Sequence, residues 1–350
     1  MVVISRLATT LTIGLLSAAA LLCVAGCGPA EGPETGAPEE SAPETSVSGG
    51  PDTTGEKPAE GQLELTYEQT GSIPAGLEKL KAVAVTNPDR IYAAGQGGVR
   101  VLNAAGEVQH RWQTPEPAEC IAVDAKGSVY VGLQTKILKY TAGGSLADSW
   151  GTEGEERGQF SYVTDLALTN GFVYVADAGN CVIHHFAANG DFIGDIGRKG
   201  EGDDNNALIC PSPYLECEVD ADGQLYVANC GRLRVQRYDQ NQNLQDYWGQ
   251  YGLDAEDFCG CCNPVSICLM PAGRLATAEK GIPRVKVYSR DGNMLAFLGQ
   301  EHFSRRVSGL DLAADDDGTL YVADPGDGLI KIFEQKETSG GTTAGEEKGQ

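Results

Sequence analysis

The sequence predicts an all-β fold, a closed ring of six four-stranded antiparallel blades, on three observations. A short strand recurs six times at intervals of 38 to 52 residues: Ile91-Tyr92-Ala93-Ala94, Val129-Tyr130-Val131-Gly132, Val173-Tyr174-Val175-Ala176, Leu225-Tyr226-Val227-Ala228, Leu275-Ala276-Thr277-Ala278 and Leu320-Tyr321-Val322-Ala323. Such a period is the mark of blades that bury their faces against neighbours. Glycine accounts for 46 of the 350 residues, about twice the usual ~7 % and without a collagen period, so turns are frequent. All three tryptophans, Trp112, Trp150 and Trp248, fall at one position of the repeating unit.

Each element follows from that unit. An apolar strand and a Gly- or Asp-marked turn precede the recurrent strand, as in Ile121-Ala122-Val123-Asp124 before Gly127. A third strand follows and ends at Leu102, Tyr140, Phe186, Tyr238, Tyr288 or Phe333. From Asp177, Asn229, Glu279 and Asp324 to that residue is nine positions in blades 3 to 6; from Gly95 and Leu133 it is seven. The tryptophans mark a fourth strand, with Ile196 and Leu298 in the same place. Blade 6 stops near Phe333, so Leu63–Gln69 is expected to supply its fourth strand and close the ring.

The ends of the chain read differently. Residues 1–26 carry a charged start at Arg6, an apolar run from Leu7 to Ala25 and small residues before a cysteine, the pattern of an export leader. Val24-Ala25-Gly26-Cys27 resembles a bacterial lipobox, which implies cleavage before Cys27 and lipidation of its thiol. Gly28 in the next position is compatible with outer-membrane sorting. Residues 27–62 are rich in Pro, Glu, Gly, Ser and Thr and cannot bury enough apolar surface to order themselves. They are expected to be a disordered tether of about 3 Å per residue at most, leaving the propeller at 63–336 and a polar tail at 337–350. The expected location is the cell envelope, on its periplasmic or outer side. With 26 Lys and Arg against 49 Asp and Glu, the chain has a net charge of −23. That excludes a general nucleic-acid binder and leaves the N-terminal lipid as its contact with a membrane.

The segment Tyr174-Val175-Ala176-Asp177-Ala178-Gly179-Asn180, continued by Ile183 and Phe186, resembles the NHL repeat. The resemblance covers about residues 63–335 and implies a six-bladed β-propeller. In that family the polar residue matching Asp177 often accepts backbone N–H bonds. A narrower likeness, to bacterial lipoproteins with NHL repeats, rests on Cys259-Gly260-Cys261-Cys262-Asn263-Pro264 and on Glu279–Tyr288. Lyases that resemble this fold use several inward histidines with a metal. Here His184 and His185 are adjacent on one strand and face opposite ways, and His110 and His302 lie in a fourth strand and a link.

Cysteine is the other chemical feature. Of eleven, Cys23 leaves with the leader and Cys27 takes lipid; nine remain, which in an exported protein points to disulfides and at least one odd thiol. Blade links and second-to-third-strand turns share one end of a propeller. Cys210, Cys230, Cys259, Cys261 and Cys262 should therefore share a sector there, beside Glu279, Lys280 and Arg284, while Cys120, Cys217 and Cys268 fall near the central channel. Two chemistries fit the sector: disulfides stapling the links 197–213 and 249–265, or thiolates holding a soft metal. The cofactor is thus none or a thiolate-bound metal. The favoured function is a lipid-anchored, non-catalytic scaffold that binds a protein or small molecule on this face. A metal-binding or redox protein and a metal-dependent lyase are the alternatives.

Overall fold

The computed structural model of the chain describes residues 63–169, 171–200, 206–252, 254–260, 262–305 and 309–336. The leader, Cys27, the tether, Cys261 and the tail from Glu337 lie outside the described residues. Among those described, the strands form six four-stranded antiparallel sheets. The inner strands are Lys79–Asn87, Cys120–Val123, Val163–Thr169, Glu216–Val219, Ser266–Met270 and Asp311–Ala314. Each packs against the next, and the sixth packs against the first. The described residues form a closed six-bladed propeller.

The recurrent strand is buried on both faces because a blade lies on either side of it. Alternation sends its Val and Tyr in opposite directions. Val131 joins the core shared with blade 1, whereas Tyr130 joins the core shared with blade 3. Val175 and Tyr174 divide in the same sense, as do Val227 and Tyr226. Each such side chain contributes roughly 1.5–3 kcal/mol by leaving water.

Tryptophan at the end of the fourth strand works one layer further out. Trp112, Trp150 and Trp248 lie over Gly144, Gly190 and Gly292 of the following blade, where an added Cβ would sit 3.1, 3.1 and 2.8 Å from the indole. Those glycines also hold φ of +82°, +85° and +81°, so both the close approach and the turn require them.

The ring closes with an N-terminal strand, as expected, but four residues later. Tyr67–Pro74 pairs with Leu329–Gln335, with a bulge between Gln69 and Gly71. The preceding residues run on to blade 5, where the Leu65 amide donates to the Leu295 carbonyl at 3.0 Å. Tyr67 pairs with Gln335 and Pro74 with Leu329. The chain therefore enters the propeller at the hairpin end and climbs to the link end. The Lys336 amide bonds to Thr66 O at 2.8 Å, so both ends of the described propeller meet at the hairpin end.

Candidate functional site

Four blades carry the same buried polar pair, seven residues apart, between the end of the second strand and the middle of the third. Asp177 meets His184 (3.5 Å), Glu279 meets Lys286 (2.9 Å) and Asp324 meets Lys331 (2.6 Å). In blade 4 both members are amides, with Asn229 Nδ2 donating to Gln236 Oε1 at 2.5 Å. The first member of each pair also binds the incoming link. Asp177 accepts from the amides of Ser161 and Tyr162, Asn229 from Ile209, Glu279 from Cys259 and Asp324 from Ser304. The pairs are structural: they satisfy backbone donors that the link buries and neutralise the carboxylate that does so.

His184 shows how such a pair is tuned. Its Nδ1 lies 2.6 Å from Asp195 Oδ1, and Arg198 Nε donates to Asp195 Oδ2 at 2.8 Å. Burial pulls the imidazole pKa down, but Asp177 and Asp195 outweigh it and hold it above the ordinary value. Burial likewise opposes ionisation of Asp177 and Asp195, yet their hydrogen bonds keep both below the ordinary carboxylate range. His185 faces the other way, stacked on Tyr174 at 4.5 Å and bonded to Gln242. Neither histidine reaches the channel.

The link face gathers the sequence-nominated residues unevenly. Glu279 and Arg284 were expected to face a ligand, but both are buried. Arg284 Nε binds Glu279 Oε1 at 2.7 Å, Lys286 takes the same oxygen, and Asp257 O accepts from both cations. An isolated buried carboxylate is costly, so blade 5 folds the arginine and lysine over it. Burial, partly offset by Glu279, brings Lys286 down to about 8. Lys280 remains half-buried at the surface, 3.0 Å from Ser212 Oγ and 4.2 Å from the centre of the Tyr214 ring. Asn263 fastens the Cys259–Cys262 loop to blade 5: its side chain donates to Cys259 O and Lys280 O and accepts from the Lys280 amide. The Asn263–Pro264 bond is cis.

Among the described link-face cysteines, Cys230 lies within reach of both Cys210 and Cys262, and Cys259 stands apart. Cys259 is turned towards Glu279 and Arg284. Cys230 is fully buried, donates to Tyr214 O at 2.9 Å, and is close enough to Cys262 and Cys181 to be influenced by both. Cys210 meets Cys181 of blade 3, a residue outside the nominated group. Among the described residues, no three His, Cys, Asp or Glu side chains are arranged to hold a metal ion.

Sequence reasoning did not nominate the central channel, a cavity of about 610 Å³. Lys79, Lys81, Glu119, Tyr162 and Tyr214 form its rim at the link end, and Val85, Val123, Leu168, Val219 and Leu269 line the hairpin end. Lys81 Nζ and Tyr162 OH both bind Glu119 Oε2, at 2.9 and 3.0 Å. Below the rim stand Asp165, Glu216, Glu218 and Asp311. Three of these carboxylates also join blades. Asp165 accepts from the Cys217 amide, Glu216 from Ile267 and Asp311 from Val83. Enclosure raises all four, Asp165 to about 6, Asp311 to about 7 and both glutamates well above their ordinary value, with mutual repulsion adding to it at Asp311 and at both glutamates. The available signal was an acidic residue inside short, otherwise apolar strands, as in Leu215-Glu216-Cys217-Glu218-Val219 and Leu310-Asp311-Leu312.

The repeat found in the sequence and the six blades found in the fold agree with sequence relatives. The chain is 28 % identical over 186 residues to human NHL repeat-containing protein 3, and 27 % identical over 188 residues to the mouse protein. This chain is a six-bladed β-propeller similar in sequence to NHL repeat-containing proteins. The matched part is 49 % of the chain and 52 % of the human protein, so the chain spans about half the length of the curated relatives it matches. No family model matches the chain. Among solved structures, the propeller superposes on a Bacteroides thetaiotaomicron protein of unknown function with a TM-score of 0.56 and 14 % identity, covering 74 % of this chain and 70 % of that one. It superposes on virginiamycin B lyase from Staphylococcus aureus with a TM-score of 0.54 and 12 % identity, covering 77 % and 99 %. At those identities the likeness is one of fold.

Proposed function

We propose that this propeller is a non-catalytic binding module of the cell envelope, anchored through lipidated Cys27, that takes its ligand through the link-end mouth of the central channel. The observation that carries the reading is the channel: a rim of lysines and tyrosines above four enclosed carboxylates, with aliphatic walls beneath. Such a lining favours a small ligand with a cationic, hydrogen-bond-donating end and an apolar body. An anion of the same size would find no cationic side chain below the rim among the described residues. The histidines speak against a lyase, because His184 and His185 are held inside blade 3 and His110 lies on an outer strand.

The test is titration of the full-length chain with 1,4-diaminobutane and, separately, with succinate, followed by calorimetry and thermal unfolding. The diamine should bind and raise the melting temperature, whereas succinate should do neither. Binding should weaken as pH falls from 8 to 5, because protonation removes the charge the amine needs. Glu218→Gln and Tyr214→Ala should each weaken it roughly tenfold or more, the worth of one charge-assisted contact. Equal affinity for diamine and succinate, or no effect of Glu218→Gln, would overturn the reading.

A further inference from the structure

Cys181 occupies an unusual place. It holds φ of +56°, four residues after Asp177, where blades 4 and 6 have Leu233 (φ +55°) and Gly328 (φ +74°). The left-handed turn therefore requires nothing specific to sulfur, and a side chain there is mildly strained. What cysteine adds is contact with a second thiol, because Cys210 of the following link hydrogen-bonds to the Cys181 sulfur. The two side chains are half-buried and pack on the same core between blades 3 and 4. Backbone bonds hold that link just before Cys210, from Leu208 N to Gly197 O and from Gly231 N to Ile209 O, and the Cys230 thiol donates to Tyr214 O just after it. Tyr214, four residues beyond Cys210, stands on the channel rim.

We propose that Cys181 and Cys210 are a redox-active pair that closes to a disulfide, tying the blade 3 turn to the link that carries the channel rim into blade 4. The oxidant is a low-molecular-weight disulfide. The Cys181 thiolate attacks one of its sulfurs, forming a mixed disulfide and expelling one thiolate, which takes up the proton Cys181 gave up. Cys210, losing its proton, then attacks the Cys181 sulfur and expels the second thiol. Two protein thiols are oxidised, one external disulfide is reduced to two thiols, and the protein loses two hydrogens. The order follows from the contact: the hydrogen bond from Cys210 stabilises the Cys181 thiolate and lowers its pKa, whereas the same bond to the Cys181 sulfur and then burial raise Cys210. Cys230, the nearest competitor, is fully enclosed and pushed up to about 12 by burial.

The experiment incubates the reduced full-length chain with oxidised glutathione, quenches with an alkylating agent and maps the peptides by mass. The wild type should give the Cys181 peptide joined to the Cys210 peptide. Cys210→Ser should accumulate a glutathionyl group on Cys181, while Cys181→Ser should leave Cys210 unmodified over the same time. Separately alkylated Cys181 and Cys210 in the wild type, or Cys181 joined to Cys230, would overturn the proposal. If either serine variant fails to fold, the wild-type map decides alone. Diamine binding in the channel can fail without affecting this outcome, and the reverse also holds.

Discussion

At the scale of single residues, the buried polar groups explain themselves once their partners are known. His184 is the clearest case, a histidine sealed beside two carboxylates in the interior of a blade. Its pKa is raised on folding, so its charged form adds stability at low pH, and that contribution is lost as pH rises through the raised value. Asp177 and Asp195 are lowered, so their contribution is present above their unfolded range, near pH 4, and is lost on acidification. The network is therefore strongest around pH 5–6. His184→Ala should cost about 3 kcal/mol in urea unfolding there, the scale of a broken buried ion pair, and less at pH 8.5. Equal losses at both pH values would show that the imidazole is neutral in the native state.

At the scale of elements, a propeller depends on how its ring is shut. Strand Tyr67–Pro74 supplies the outermost strand of blade 6, and Ile73 stands opposite Ile330 as Trp112 stands opposite Val99 in blade 1. Removing residues 63–74 would expose the edge of Leu329–Gln335 and uncover its apolar face. A chain lacking them should melt at least about 10 °C lower and self-associate in sedimentation. Unchanged melting would mean that the inner-strand contacts alone hold the ring. The same element shows a limit of pattern reading. Leu63-Glu64-Leu65 has strand alternation, so the expected strand began too early; the register was set instead by the partner strand and a bulge at Thr70.

At the scale of the whole molecule, closure and channel chemistry share groups. Asp165, Glu216 and Asp311 join blade 3 to 4, 4 to 5 and 6 to 1 while facing the same cavity, and Ser266 of blade 5 reaches Asp311 at 3.3 Å. Asp311 rises from 3.8 to about 7 on folding. The stability this provides is complete below its unfolded pKa and is lost as pH climbs through 7. Asp311→Asn retains an acceptor for the Val83 amide without the charge. It should stabilise the chain by about 2 kcal/mol at pH 8, a value discounted for the solvent in the channel, and by less at pH 5. A destabilised variant at pH 8 would mean that the carboxylate is worth more ionised than its enclosure suggests.

Sequence by itself determined the architecture. Six recurrent strands, glycine-marked turns and tryptophans at one position are local patterns, and their period requires blades that bury each other. It also marked the polar residues Asp177, Asn229, Glu279 and Asp324, because a nine-residue turn-and-strand unit repeats around them. Tertiary structure alone decided which of the nominated residues meet. Glu279 and Arg284 neutralise each other inside blade 5, Cys210 finds Cys181 in the neighbouring blade, and four carboxylates from inner strands about 50 to 150 residues apart share one channel. Repeats register along the chain, whereas a site at the axis is assembled across blades, where sequence distance carries no record of proximity.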